Sequence, residues 1–165
     1  MSATTADPFT RSVTLVLDLE GADTDNIATD PDGGLTRFGI SSKQHPEVDV
    51  AGLTRDAALA WYRQNVWDAH RCGEMAWPVC LVVFDEAVNQ GNVQALQHAL
   101  GVREDGVVGP VTLGAAAARS PLELAARTLA DRAMRYTEVR ADLWKANGPG
   151  WMYRLARIAL AAGEA

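Results

Sequence analysis

A carboxylic acid at the end of an apolar segment, followed at once by glycine, is a candidate proton donor. Glu20, in the stretch VTLVLDLEGA, is such a residue. At helical spacing Phe9, Val13, Val16 and Leu17 share its face, so the pattern predicts a poorly solvated carboxyl. Poor solvation favours the protonated form. A protonated carboxyl can pass its proton to a leaving oxygen. Shortly after it stand Asp30, Asp32 and Thr36. A second carboxylate or a hydroxyl there could orient a water, or stabilise positive charge at the carbon that loses its leaving group. Asp32 directly precedes Gly33 and Gly34, which makes it the better candidate of the two aspartates. The glycine pair lets the backbone turn tightly and lets a substrate approach it closely. Each residue also has a plainer role. Glu20 could be a solvated helix-end carboxylate, Asp32 an Asx turn before glycine, and Thr36 a hydroxyl that satisfies a neighbouring backbone group.

These residues need elements to hold them. Residues 9–20 alternate (Val13, Leu15, Leu17, Leu19) as well as they follow a helix, and the helix is the reading adopted here, with Gly21 as its terminator. Residues 21–36 are polar and rich in Asp and Gly, a loop. LTRFGIS (35–41) predicts a small hairpin. Helices follow. One runs from an N-cap at Thr54 to about 69, one from Pro78 to about 90, and one capped by Asn92 to about 100. A short Ala-rich helix covers 111–118. A long one starts at Ser120-Pro121 and reaches about 145. The turn NGPG (147–150) then leads into a last helix, 151–162. The fold class predicted is mainly α (α+β), with one small β-hairpin near Glu20.

The chain has 165 residues, 48% hydrophobic and 22% charged, with net charge −6. That composition excludes a disordered, collagen-like or disulfide-stapled chain. No apolar run approaches the roughly 18 residues of a membrane span, so no stable membrane insertion is expected. The start MSATTADPFTRS lacks a basic region followed by an apolar stretch, so no signal peptide is read there and export by another route is expected. Residues 1–118 carry 7 Lys/Arg and 16 Asp/Glu, whereas 119–157 carry 8 and 4. The acidic balance and the lack of a basic recognition helix argue against nucleic acid. Cys72 and Cys80 read as reduced, partly buried thiols, with no sequence support for a bridge between them. His45, His70 and His98 match no zinc spacing, so no metal and no cofactor is expected.

Several short motifs, in order, resemble glycoside hydrolase family 108, the domain of phage and bacterial muramidases. LEG (19–21) and DPDGGLTRFGIS (30–41) resemble its Glu-Gly-Gly start, an Asp/Pro-rich stretch and its Gly-Gly-x-Thr-x-x-Gly-Ile pattern. Leu53-Thr54, Ala57-Ala58, Tyr62 and Trp67 resemble its next helix, and FDEAVNQG (84–91) resembles its Phe-Asp-x-x-x-Asn-x-Gly helix end. LQHALGVREDGVVGPVTL (96–113) and GWMYRL (150–155) resemble the peptidoglycan-binding segment that follows it. The resemblance implies a lysozyme-like fold and cleavage of the β-1,4 bond between N-acetylmuramic acid and N-acetylglucosamine. It also implies an endolysin-like or secretion-associated role, with the protein made in the cytoplasm and acting at the wall after release. It places the catalytic Glu at 20, its Gly-Gly-x-Thr on Gly33, Gly34 and Thr36, and its helix-ending Asn on Asn89; with these, Asp32, nearest the glycine pair, and Thr36 are the candidates to assist Glu20, and Gly33, Gly34, Asn89 and Trp67 the candidates to bind substrate. The expected layout is one compact domain, with a catalytic lobe over 9–96 and a helical lobe over 97–162, acting as a monomer on peptidoglycan. The chain departs from the pattern at Ala22 and Asp23, and its loop from Glu20 to Thr36 is longer than usual.

Some residues carry two readings. Asn89 could bind an N-acetyl group or cap its helix. Trp61, Trp67, Trp77, Trp144 and Trp151 could each offer a sugar platform or fill the core. Asp85 reads as the partner of a basic residue. Arg132, Arg135 and Arg140 read as a solvated face. Two rival functions share the same residues: a lytic transglycosylase using Glu20, and a wall-binding or structural phage protein without catalysis.

Overall fold

Asp7 starts the first helix, α1 (Pro8–Leu19). Its carboxylate accepts from the backbone N–H groups of Phe9 and Thr10 at 3.1 and 3.3 Å, and Pro8 fills the first helical position, where no N–H is needed. The Thr10 hydroxyl also donates to this carboxylate and, with those N–H groups, holds it below the usual Asp range. Val13, Val16 and Leu17 are buried, together with Ser12, whose hydroxyl bonds back to Pro8 O at 2.7 Å. The helical reading of this ambiguous stretch therefore holds.

The computed structural model describes residues 6–22, 26–29 and 34–164. The chain divides into two compact units, 1–66 and 67–165. In the first, α1 is followed by an antiparallel sheet of β1 (Ala28–Thr29), β2 (Leu35–Arg37) and β3 (Ile40–Ser41), with β2 central. Ala28 pairs with Thr36, and Thr36 with Ser41. The predicted hairpin is β2–β3. The extra strand, β1, is two residues long and leaves no period to read. Helix α2 (Arg55–Tyr62) has Thr54 as its cap, with the Thr54 hydroxyl accepting from Ala57 N at 3.2 Å. It widens into a π-helical turn over Arg63–Asp68.

In the second unit α3 (Val79–Gln90) is the central helix, buried without interruption from Val79 to Ala87. Helices α4 (Gln94–Leu100), α5 (Pro110–Ala117), α6 (Pro121–Thr137) and α7 (Ala141–Ala162) follow. α3 packs on α6 and α7, and α4 packs on α6. The break between units falls at 66/67, because these contacts join α3 and α4 to the C-terminal helices. The architecture is mainly α with a small antiparallel sheet, consistent with the lysozyme-like class expected.

One boundary differs from its prediction. α6 stops at Thr137, and α7 runs through Asn147-Gly148-Pro149-Gly150. A proline here removes one helical hydrogen bond. The helix persists because aromatic packing holds it on both sides. Trp144 lies over Gly148, and Trp151 stacks on Tyr136 with centroids 4.8 Å apart. Cys72 and Cys80 are buried, free thiols, and burial pushes the Cys72 thiol well above its usual range.

Candidate active site

Glu20 is the C-cap of α1. Gly21 follows with φ +63°, the left-handed region that costs an L side chain roughly 1–2 kcal/mol. Gly21 N donates to Asp18 O at 3.0 Å and Ala22 N to Leu17 O at 2.8 Å. This is the Schellman pattern, with its usual apolar contact supplied here by buried Ala22 and Leu17. The Glu-Gly pair thus fixes where the carboxyl leaves the helix. It does not bury it. Glu20 is exposed, although Val13, Val16 and Leu17 on its face are buried. The expectation of a poorly solvated carboxyl is corrected: the covered stripe ends with the helix at Leu19, and the reversal at Gly21 leaves position 20 beyond it.

The chain just after Glu20 meets the hairpin turn. A Cβ at Gly39 would lie 3.6 Å from Ala22 Cβ and only 2.6 Å from the Tyr62 hydroxyl oxygen. Phe38 and Gly39 form the two-residue loop between β2 and β3, with φ +51° and +75°. Positive φ at both positions is what the tight hairpin turn requires. A bulky residue there is strained. Phe38 tolerates it because its ring is buried and its carbonyl accepts from Tyr62 Oη at 3.0 Å. Tyr62 therefore pins the turn from α2. Gly39→Ala meets both the φ penalty and the Tyr62 hydroxyl, so a loss of about 2 kcal/mol or more is expected in urea unfolding. A loss below about 0.5 kcal/mol would show that the turn relaxes freely.

Thr36 lies on central strand β2, half-buried, in one cross-strand row with Ala28 and Ser41. Gly34 is buried beside it in sequence. Asp32 and Gly33, like Asp30, lie outside the described residues. Glu20, Gly34 and Thr36 belong to the first compact unit, and Trp67 and Asn89 to the second. Trp67 is 3% exposed and packs edge-on against Phe84 at 5.7 Å. A ring so enclosed has no face for a sugar, so its expected binding role gives way to a core role. Asn89 does not cap α3, which ends at left-handed Gly91 with a backbone bond to Ala87 O. Asn89 Oδ1 accepts instead from the Tyr136 hydroxyl at 2.9 Å. Only the i, i+4 spacing of Arg132 and Tyr136 on α6 hints in the sequence at that partnership.

Asp85 is fully buried and holds two arginines: Arg132 Nη1 at 2.6 Å on Oδ2, and Arg154 Nε at 2.8 Å on Oδ1. Its reading as partner of a basic residue holds. Arg132 is corrected: it is 0% exposed, not part of a solvated face. Arg135 and Arg140 are bridged to Glu104 and Asp142. Among the described residues no His/Cys/Asp/Glu group could hold a metal, and no helix is long and apolar enough to cross a membrane.

Next to Asp85, Glu86 is also fully buried; its Oε1 accepts from Ala95 N at 2.8 Å, and its Oε2 has no partner. Burial pushes this carboxyl up to about 7, against the opposing pull of the Ala95 and Leu96 N–H groups and of Arg132 and Arg135. The folded value lies above the unfolded one. The resulting stabilisation is complete below the unfolded value of 4.5 and is lost as pH rises through about 7. Glu86→Gln keeps the acceptor for Ala95 N. Its stability relative to the native protein should rise by up to about 3 kcal/mol between pH 4.5 and 8. A pH-independent difference in urea midpoints would contradict this.

Residues 13–91 match the Glycosyl hydrolase 108 family. The chain is a glycoside hydrolase, and a peptidoglycan hydrolase by the family and structural matches together. The structure of Brucella abortus SagA is similar, with 27% sequence identity and a TM-score of 0.77 over 93% of this chain and 92% of that one. No curated protein matches the chain. The Glycosyl hydrolase 108 segment contains Glu20, the hairpin and Tyr62, and it ends at Gly91, the left-handed terminator of α3. The likeness to SagA extends past that point into α4–α7.

Proposed function

We propose that the chain is an N-acetylmuramidase, a lysozyme that cleaves the β-1,4 bond between N-acetylmuramic acid and N-acetylglucosamine with Glu20 as general acid. The observation that carries the reading is the placement of Glu20. Within the matched family segment it stands at the open end of α1, fixed by the Gly21 reversal, and Ala22 lies against the hairpin turn at Gly39. An exposed carboxyl is reachable by a polymer. A glycan laid over it displaces water, and a desolvated carboxyl favours the protonated form that a leaving oxygen needs. Thr36 and Asp32 are the candidates to position the attacking water or to stabilise the oxocarbenium carbon. The protein's action belongs at the cell wall, where this polymer is.

Digestion of purified peptidoglycan, followed by mass spectrometry of the soluble fragments, tests the reaction. A muramidase leaves reducing N-acetylmuramic ends. Fragments lighter by one water, the anhydro form, would mean a lytic transglycosylase, and no fragments at all a binding protein. Asp32→Asn and Thr36→Ala should each lower the rate by a graded amount smaller than loss of the acid. Rates equal to the native protein's would return both residues to turn and strand roles.

A further inference from the structure

We propose that Tyr62 is a positioning residue for the glycosidase reaction: through the Gly39 turn it sets where the end of α1, and so the Glu20 carboxyl, stands against the strand that carries Thr36. The inference rests on the muramidase reading of Glu20 and adds a residue that acts through its neighbours. Three elements meet at one point. The Tyr62 hydroxyl, from α2, donates to Phe38 O at 3.0 Å. A Cβ added at Gly39 would lie 2.6 Å from that hydroxyl oxygen and 3.6 Å from Ala22 Cβ. The spot where Gly39 lacks a side chain is therefore filled from α2 and from the end of α1 together. Ala22 is buried and its N–H is tied to Leu17 O at 2.8 Å, so it moves with α1. Glu20-Gly21-Ala22 leads from the acid to this contact, and Phe38-Arg37-Thr36 leads from it back along β2. An acid and a water-positioning group work only at a set separation, and the Gly39 contact ties their two elements together through space.

Two further features mark the same point. Phe38 carries φ +51°. Strain in a bulky residue persists only where its surroundings over-determine it, and it collects at functional sites. Helix α2 gives way to the π-helical turn at Arg63, the residue after Tyr62, and π-helical turns collect at functional sites too. The Tyr62 ring itself is held firmly. It is 3% exposed and meets Trp61 edge to face, with centroids 5.3 Å apart. An enclosed ring on a helix delivers its hydroxyl to one place, whereas a solvated side chain would sample several rotamers.

The test measures release of reducing ends from purified peptidoglycan over a range of concentrations, with a thermal melt for each full-length variant. Tyr62→Phe keeps the buried ring and removes the hydroxyl. It should lower kcat about tenfold and leave KM within about twofold of the native value, because misplacing a proton donor weakens the transition state and not substrate binding. Ala22→Gly loosens the same contact from the α1 side with the Tyr62 hydroxyl in place, and it should lower kcat in the same way. Native kcat in both variants would overturn the proposal. Gly39→Ala with Tyr62→Phe separates position from packing. The added methyl then faces ring carbon Cζ at 3.9 Å with no hydroxyl at 2.6 Å, so this double variant should melt higher than Gly39→Ala alone while kcat stays about tenfold low. Recovery of kcat together with the melt would show a packing role only and overturn the proposal. Adding Tyr62→Phe to Glu20→Gln should change the residual rate by less than about twofold, since residues that act through one group are not additive. A further loss of about tenfold would mean that Tyr62 acts on the structure at large, which also overturns it. Inactive Glu20→Gln beside fully active Tyr62→Phe rejects the positioning role and leaves the muramidase reading standing. Fully active Glu20→Gln rejects the muramidase reading itself, and the positioning role falls with it.

Discussion

Glu20→Gln should leave the fold unchanged and lower the lytic rate by roughly 10²–10⁴-fold, the usual share of general acid catalysis. Glutamine keeps the size and shape of the side chain but has no proton to give. The fold should not respond, because backbone hydrogen bonds close the end of α1. The reversal is made by the backbone of Gly21 and Ala22, and the apolar seal by Leu17 and Ala22. The side chain is exposed, so no core contact is lost. Turbidity loss of permeabilised Gram-negative cells gives the rate, and a thermal melt gives the fold. Full lysis with an intact melt would remove Glu20 from the chemistry. A lost melt would mean that the carboxyl is structural. Gly21→Ala is the complementary change: it keeps the acid but should disturb its exit from the helix.

The largest expected effect on stability belongs to Asp85. Asp85→Ala leaves Arg132 and Arg154 buried without their shared carboxylate, and removing one partner of a buried ion pair typically costs about 3–5 kcal/mol. Against a total stability of about 5–15 kcal/mol, such a variant would be close to unfolding at growth temperature. Arg132 Nε has no partner even in the native protein, so the site has little spare compensation. Because Arg132 also bonds the Tyr136 hydroxyl, the same change should loosen Asn89. Urea unfolding measures the loss, and a value under about 1 kcal/mol would mean that water replaces the carboxylate. Asp142→Ala, which breaks the exposed pair with Arg140, is the control and should have no measurable effect on stability.

Much of this was legible in residue order. The Gly21 stop, the Thr54 cap, the Pro121 start, the hairpin at LTRFGIS and the α3 terminator are local devices, each decided by one or two residues and the backbone angles they permit. The placement of Glu20 at a helix end follows from the same local chemistry, and so does its neighbourhood in the family motif. Local rules misjudged NGPG, whose turn chemistry is overridden by Trp144 on Gly148 and Trp151 on Tyr136. They also misjudged Arg132, which its helix alone would leave in water.

The sequence by itself determined the helical class, the ends of most helices and the position of Glu20 at a helix end, because caps, terminators and glycine turns act over a few residues. Only the tertiary structure decided that Glu20 is exposed, that Trp67 is core, that Asn89 answers to Tyr136, and that Asp85 gathers two arginines from helices far along the chain. Burial and pairing of this kind depend on which faces meet after folding, and no spacing within a single element encodes them.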